Sequence, residues 1–234
     1  FSGGLARAFA ARTPSHAAAT PSIRVESRAW YNPGLVSRVY MTPAIMALLM
    51  LVVTMLITSM ALVKEREDGT LEQLMVTPVS RLGLMVGKLT PYACIGAFEV
   101  CMVVLLMRFL FQVPIAGSIL LLAGFSLLFL FTSLGLGLMI STIAANQVQA
   151  MQIAFLVMLP SVLLSGFVFP QESMPFPIYV VGQVLPVTYF IRVLRGIILR
   201  DAGFLDLWPQ GIGLIVIGGF LLTVSAGRFR KTLG

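Results

Sequence analysis

Five apolar runs, each about 20 residues long, limit what this chain can fold into. A helix of that length crosses the roughly 30 Å hydrocarbon core of a bilayer. A buried core helix of a soluble protein could explain one such run, but not five in 234 residues of which only 11% are charged. The sequence therefore predicts an all-α integral membrane protein. The predicted spans are Ala44–Val63, Leu89–Met107, Ser118–Ile140, Met151–Phe169 and Leu207–Ala226.

A dense charged block separates the first two runs, and it continues without a break from Lys64 to Asp68. A charge at the centre of a bilayer costs about 3 kcal/mol or more, so this block has to lie in water beside the membrane. Seven Lys and Arg residues near the spans fall on each predicted side, and loop length and closeness to the spans therefore decide the orientation. They place residues 64–88, 141–150 and 228–234 in the cytoplasm.

The pattern after Gly69 predicts a short amphipathic helix on the cytoplasmic side. Gly69 breaks the helix that leaves the first span, and Thr70 with Gln73 has the spacing of a capping box. A second helix start follows at Thr77–Pro78, where threonine can cap and proline fits the first helical turn. The apolar face of the first helix is formed by Leu71, Leu74 and Met75. The segment is either a well-capped surface loop or a docking helix for a cytoplasmic partner.

Further motifs follow in order along the chain. They are Glu65–Ser80, Gly87–Tyr92, Val113–Ser118, Leu134–Ser141, Gln147–Gln152, Leu159–Pro170, Met174–Pro175, Pro186–Phe190 and Arg195–Leu199. In order and spacing, this series resembles the type-2 ABC exporter permeases of the multidrug-export branch. The likeness extends from about Trp30 to Arg230, which is nearly the whole chain.

The resemblance implies a six-span permease, of which this chain would carry spans two to six. The chain begins at Phe1, and residues 1–38 are expected to be the end of an extracytoplasmic domain or a linker. Residues 39–234 would form the transmembrane permease domain. Within that domain, the resemblance makes residues 64–88 the coupling loop. It makes residues 170–206 a re-entrant helical hairpin in the outer leaflet, before the last span.

The resemblance also implies that the coupling loop binds a cytoplasmic ABC ATPase subunit. ATP and magnesium would bind that subunit, while this chain would bind no cofactor and would not be an enzyme. Gly87–Lys88 does not complete a phosphate-binding loop, because Leu82 and Leu89 stand where such a loop needs a glycine and a hydroxyl residue. The candidate docking residues are Glu65, Arg66, Glu67, Gly69, Thr70, Leu71, Glu72, Leu74, Thr77 and Pro78.

Two places are candidates for the translocation path. Glu99 lies deep in an apolar run, where an acid either lines a path or is packed between helices as a hydrogen-bonded group. Prolines divide the predicted hairpin into two short helices, about 176–185 and 187–200, which can re-enter the membrane only where they pack on protein or line a cavity. Arg192 and Arg195 share one face of the second helix. The resemblance puts this hairpin at the outer end of the path; the alternative is a simple interfacial anchor.

Glycines within and beside the runs are expected to let neighbouring spans approach closely, as small residues do in pairs of membrane helices. The glycines expected to do so are Gly124, Gly135, Gly137 and Gly166.

The resemblance implies that the chain is the permease subunit of an ATP-driven exporter in the bacterial inner membrane. It would move amphiphilic small molecules, such as drugs, lipids or lipid-linked compounds, out of the cell. The expected partners are the ATPase, membrane lipid and a second permease, either identical or a sister chain. No nucleic acid is expected, because the net charge of +7 fits basic flanks beside anionic lipid.

Two other classes of protein compete with the exporter. One is an ion channel or proton-coupled carrier that uses Glu99, although that class is expected to show several intramembrane charges or an internal repeat. The other is a membrane-embedded enzyme, which would need converging catalytic residues or metal ligands in the spans, and the sequence shows none. His16 is the only histidine, which argues against a histidine-based metal site.

Overall fold

The fold is built from helices. The computed structural model describes residues 37–69, 81–113 and 115–229, and within those ranges it contains seven α-helices and no strand. They are α1 (Ser37–Glu67), α2 (Arg81–Leu105), α3 (Ile119–Ile143), α4 (Gln147–Leu164), α5 (Phe176–Val184), α6 (Pro186–Arg200) and α7 (Phe204–Phe229). Helix α2 continues through a π-helical turn, Leu106–Leu110, and a 3-10 turn, Gln171–Ser173, precedes α5.

Five helices are long and apolar enough to cross a membrane, namely Tyr40–Glu67, Gly87–Leu110, Ile119–Ile143, Gln147–Leu164 and Phe204–Arg228. They overlap the five predicted spans and confirm the predicted all-α membrane fold. The fourth span ends at Leu164 rather than Phe169, because the backbone turns at Gly166, where φ is +87°. Glycine adopts that conformation without the steric penalty that other residues meet.

Helix α3 lies at the centre of the bundle, between α1 and α7. A Cβ on Gly137 would sit 2.9 Å from the Cβ of Thr58, so α1 and α3 are in close contact at this point. A Cβ on Gly218 would sit 2.9 Å from the hydroxyl oxygen of Thr132. That hydroxyl donates a 3.2 Å hydrogen bond to the carbonyl oxygen of Leu214 and thereby links α3 to α7. Small residues allow backbones of membrane helices to come this close.

The prediction of close packing at four glycines is only partly confirmed. Gly135 packs against α7 and Gly137 against α1. The prediction is wrong for Gly124, where an added Cβ would meet no atom within 4 Å. It is also wrong for Gly166, whose positive φ makes it a turn residue after α4. All four glycines lie in or beside apolar runs. Only the positions of the neighbouring helices distinguish Gly135 and Gly137, which have a close neighbour, from Gly124, which has none.

Helices α5 and α6 are the two short helices predicted to re-enter the membrane, called the re-entrant pair below, and they meet at a bend of 87°. The bend falls at Leu185, which has extended backbone (φ −83°, ψ 122°) because it precedes a proline. Phe190 stacks on Phe129, with ring centroids 4.1 Å apart, about 15 Å along α3 from its first residue. At the far end of α6, the carbonyl oxygen of Ile197 accepts a 3.0 Å hydrogen bond from the backbone N–H of Gly117, just before α3 begins. Helix α6 therefore runs from about the middle of α3 back to the residues just before α3.

The two helices of the re-entrant pair differ in burial. Helix α5 is exposed along most of its length, with only Gly182 buried. Helix α6 is enclosed by α1, α3 and α7, and it contributes most of its apolar residues to the larger core. A smaller core, which includes Met55, Val63, Ile140 and Ala154, lies where α1 ends and α4 begins.

Candidate functional site

The end of α1 carries the charged block, and its side chains reach three neighbouring elements. Glu65 forms an ion pair with Lys88 of α2. The Lys88 side chain is only 11% exposed, so solvent screens this pair less than it screens a pair on an open surface. We call this end of the bundle, formed by residues 64–69, 88 and 141–150, the charged end.

Arg66 binds the carboxyl end of α3. Its guanidinium group donates to the carbonyl oxygen of Ser141 at 3.2 Å and to that of Ala144. The last four carbonyl groups of a helix have no partner within the helix. They also form the negative end of the helix dipole, which a cation stabilises. Arg66 therefore satisfies groups that would otherwise need water.

Glu67 binds the amino end of α4. Its carboxylate accepts hydrogen bonds from the backbone N–H of Gln147 at 3.1 Å and from the Gln147 side chain at 2.6 Å. Asn146 caps the same helix by accepting a 2.8 Å hydrogen bond from the backbone N–H of Gln149. An anion is stabilised at this end of a helix for the same reason that a cation is stabilised at the other.

Two neighbouring residues of α1 thus hold both sides of the turn between α3 and α4. We call Arg66 and Glu67, together with their contacts at Ser141, Ala144 and Gln147, the α1 brace. The brace ties the charged block to the α3–α4 turn. Because both contacts match the helix dipoles, displacement of the block from this turn costs electrostatic energy at two helix ends.

The helix break predicted at Gly69 is confirmed. Helix α1 ends at Glu67, and Gly69 has a φ of +69°. The predicted capping box, amphipathic helix and second helix start lie outside the described residues, as do the docking candidates Thr70, Leu71, Glu72, Leu74, Thr77 and Pro78. Of the remaining candidates, Glu65, Arg66 and Glu67 all have partners within the chain.

Glu99 faces α1 from the middle of α2. Its carboxylate accepts a 2.9 Å hydrogen bond from the hydroxyl group of Thr54. Thr54 is 5% exposed and Glu99 is half-buried, so the pair lies at the α1–α2 contact. Sequence analysis did not identify Thr54, although a hydroxyl residue inside an apolar run was an available signal.

The two candidate arginines of α6 form hydrogen bonds to residues of the segment that follows α4. Arg192 donates from Nε to the Gln171 side-chain oxygen at 3.1 Å. Arg195 donates to the carbonyl oxygen of Gly166 at 3.0 Å, and its guanidinium carbon lies 3.9 Å from the ring centroid of Tyr40. Neither Gln171 nor Tyr40 was identified from sequence. Tyr40 and the Glu99 partner Thr54 are about 21 Å apart along α1, so Glu99 and Arg195 do not form one site.

Comparison with known proteins identifies the family of the chain. Residues 6–227 match the family model described as ABC-2 family transporter protein. The chain belongs to the ABC-2 transporter family. Its charged end, α1 brace and re-entrant pair all lie within the matched residues.

Curated relatives of this ABC-2 chain include three permeases of Escherichia coli (strain K12). The probable multidrug ABC transporter permease YbhS is 39% identical over 180 residues, which is 76% of this chain and 48% of YbhS. The probable multidrug ABC transporter permease YbhR is 31% identical over 204 residues, 87% of this chain and 55% of YbhR. The inner membrane transport permease YhhJ is 34% identical over 221 residues, 92% of this chain and 58% of YhhJ. The ABC-2 chain thus spans about half the length of these relatives.

The Thr54–Glu99 contact gives a testable prediction for this ABC-2 chain. If the full-length permease exports amphiphilic compounds and Glu99 contributes its charge to that export, Glu99→Gln is expected to slow the export of cationic amphiphiles about tenfold while neutral ones are exported as before. The amide keeps the shape and the acceptor oxygen, so the contact with Thr54 remains possible. Transport rates of one cationic and one neutral dye in membrane vesicles measure this ratio.

Thr54→Val is the matched control for that experiment, because it removes the hydrogen bond and keeps the carboxyl group. Equal loss of cationic and neutral transport in both variants, with less folded protein in each, would show a packing contact instead of a transport role.

Proposed function

We propose that this chain forms the greater part of the membrane domain of an export permease in the bacterial inner membrane. A separate ABC ATPase subunit binds ATP and magnesium and supplies the energy. The exported compounds are amphiphilic small molecules. The proposal is supported by the family of the chain, by the printed names of YbhS and YbhR as multidrug permeases, and by that of YhhJ as an inner membrane permease.

The α1 brace is the observation that best fits this function. An energy-coupled permease needs a rigid connection between the surface that meets the ATPase and the helices that move. The brace joins the chain immediately before residues 70–80 to the α3–α4 turn, and the Glu65–Lys88 pair joins it to α2. A movement of residues 70–80 caused by the ATPase would therefore be passed to α1, α2, α3 and α4 together.

A second permease copy is proposed along α1. About half of this helix is buried, but one apolar stripe stays exposed over its first two thirds, made up of Met41, Ile45, Leu49, Val53 and Ile57. Tyr40, whose ring lies beneath the Arg195 guanidinium, is also exposed and lies beside Met41 at the end opposite the charged end. Pairing along this stripe would bring α1 of both copies beside one path and would put Arg195 at its outer end.

Docking through the coupling loop predicts the effect of one substitution. Leu74→Asp places a charge on the predicted apolar face, so the ABC ATPase is expected to bind at least about tenfold more weakly, as when a buried contact in an interface is lost. Insertion into the membrane should be unchanged, because residues 64–88 are predicted to lie in water. Co-purification of the tagged full-length permease with its ATPase measures the effect.

Gln73→Asp serves as the control, because it adds the same charge at the preceding position, off that apolar face. Equal retention of the ATPase by Leu74→Asp and by the unmodified protein would rule out docking through this face.

A further inference from the structure

A groove opens at the end of the bundle opposite the charged end. It has a volume of about 510 Å³ and lies between the first turns of α3 and the connection from α6 to α7. That volume falls within the range of about 300–1,000 Å³ typical of small-molecule sites. The walls are mostly apolar and include Leu121, Phe125, Leu128 and Phe204. The rings of Phe125 and Phe204 lie 6.4 Å apart and join α3 to α7 on one side of the groove.

The depth of the groove identifies the kind of molecule that reaches it. Its apolar walls belong to the first turns of two spans, Ile119–Ile143 and Phe204–Arg228. Leu120 and Phe204 are 84% and 63% exposed, so the groove opens at the outside of the bundle. Since both residues lie in the first turn of a span, we expect the groove to lie where the bilayer passes from headgroups to acyl chains. Membrane lipid is the apolar molecule present at high concentration there.

One charged side chain stands at the mouth. Asp201 ends α6 in left-handed backbone, with φ 51° and ψ 38°. Its carboxylate has no hydrogen bond or ion pair with any residue that the structure describes, and no basic side chain lines the groove within the same residues. The nearby Asp206 differs, because its carboxylate accepts a 3.2 Å hydrogen bond from the backbone N–H of Gly203. Among the described residues that line the groove, Asp201 is therefore the only charged one, and most of the others are apolar.

We propose that this groove binds a phospholipid with a primary-amine headgroup. One acyl chain lies against Phe125 and Leu128, and the ammonium group donates to the Asp201 carboxylate. A charge-assisted hydrogen bond of this kind favours an ammonium headgroup over an anionic one. The site is separate from the α1 brace and from the ATPase, and it does not depend on the proposed function.

Gly124 allows a direct test, because it lines the groove and a Cβ added at this position would meet no atom within 4 Å. Gly124→Leu should fold normally and fill the groove. Asp201→Asn removes only the charge, and asparagine tolerates left-handed backbone. Gly219→Leu is the control, since Gly219 on α7 is also open and exposed but does not line the groove.

The experiment titrates the purified full-length permease with 1-palmitoyl-2-oleoyl-phosphatidylethanolamine and counts bound lipids by native mass spectrometry. Phosphatidylglycerol with the same acyl chains is the comparison. The unmodified protein and Gly219→Leu are expected to prefer the amine lipid. Asp201→Asn should lose about fivefold in that preference, the upper end for an exposed ion pair. Gly124→Leu should weaken binding of both lipids at this site by about tenfold.

Three results would overturn the proposal. Unchanged lipid binding by Gly124→Leu would show that no acyl chain occupies the groove. Unchanged headgroup preference in Asp201→Asn would show that the carboxylate does not bind the ammonium group. If Gly124→Leu does not fold, the result for Asp201→Asn alone tests the proposal. Tight binding of dodecyltrimethylammonium that the amine lipid does not displace would identify the groove as a site for soluble cationic amphiphiles.

Discussion

Arg66→Ala is expected to lower the free energy of unfolding by about 2 kcal/mol, because it leaves two part-buried carbonyl groups of α3 without their charged donor. It should also lower ATP-driven transport about tenfold, since contacts that connect two sites change their coupling by up to about 2 kcal/mol. The contacts at stake are those to Ser141 and Ala144. Thermal denaturation in detergent and transport in vesicles measure the two effects.

Lys64→Ala is the matched control. It also removes one positive charge, but Lys64 lies two residues before Arg66 and its side chain is exposed. The losses of stability and transport in Arg66→Lys should lie between those of Arg66→Ala and Lys64→Ala, since lysine keeps the charge but not the planar pair of donors. If Arg66→Ala and Lys64→Ala behave alike in both assays, the brace neither stabilises the fold nor transmits the coupling.

Gly137→Leu is expected to have the largest effect on folding. The added Cβ alone would lie 2.9 Å from the Thr58 Cβ and 3.0 Å from the Met55 carbonyl oxygen. Backbone of α1 cannot yield at that distance without moving the helix, so a loss of about 3 kcal/mol is expected. The measurement is the fraction of protein that stays monodisperse in size-exclusion chromatography after stepwise heating.

Gly124→Leu is the control on the same helix, because a Cβ added there would meet no atom within 4 Å. This variant is expected to keep the thermal stability of the unmodified protein, while Gly137→Leu loses it. Equal stability of the two variants would contradict the close approach of α1 and α3.

The sequence predicts the elements of this fold better than their contacts. Apolar runs predict spans because nearly every residue of a span has to be compatible with the hydrocarbon core of the bilayer. The break at Leu185 follows from Pro186, whereas the enclosure of α6 and the exposure of α5 depend on neighbours that are distant in sequence. Gly124 and Gly137 occupy similar apolar surroundings in sequence, and only the position of α1 separates them.

The candidate site shows the same limit. Arg66 binds backbone carbonyl groups, which every residue has, so no sequence pattern could identify Ser141 or Ala144 as its partners. Thr54 lies 45 residues from Glu99, and no local pattern relates them. The carboxylates of Glu65 and Glu67 were expected to meet groups on the ATPase. Both have partners within the chain that sequence did not identify, and their contact with the ATPase stays a prediction.

The most direct test of the central claim is transport by the full-length permease reconstituted with its ABC ATPase in proteoliposomes. The probe is rhodamine 6G, a fluorescent cationic amphiphile. The account predicts that dye moves only when ATP and magnesium are supplied on the ATPase side, and that Leu74→Asp abolishes this movement while the permease remains folded in the membrane. Dye movement driven by a proton gradient without ATP, and unaffected by Leu74→Asp, would contradict the account and support a proton-coupled carrier.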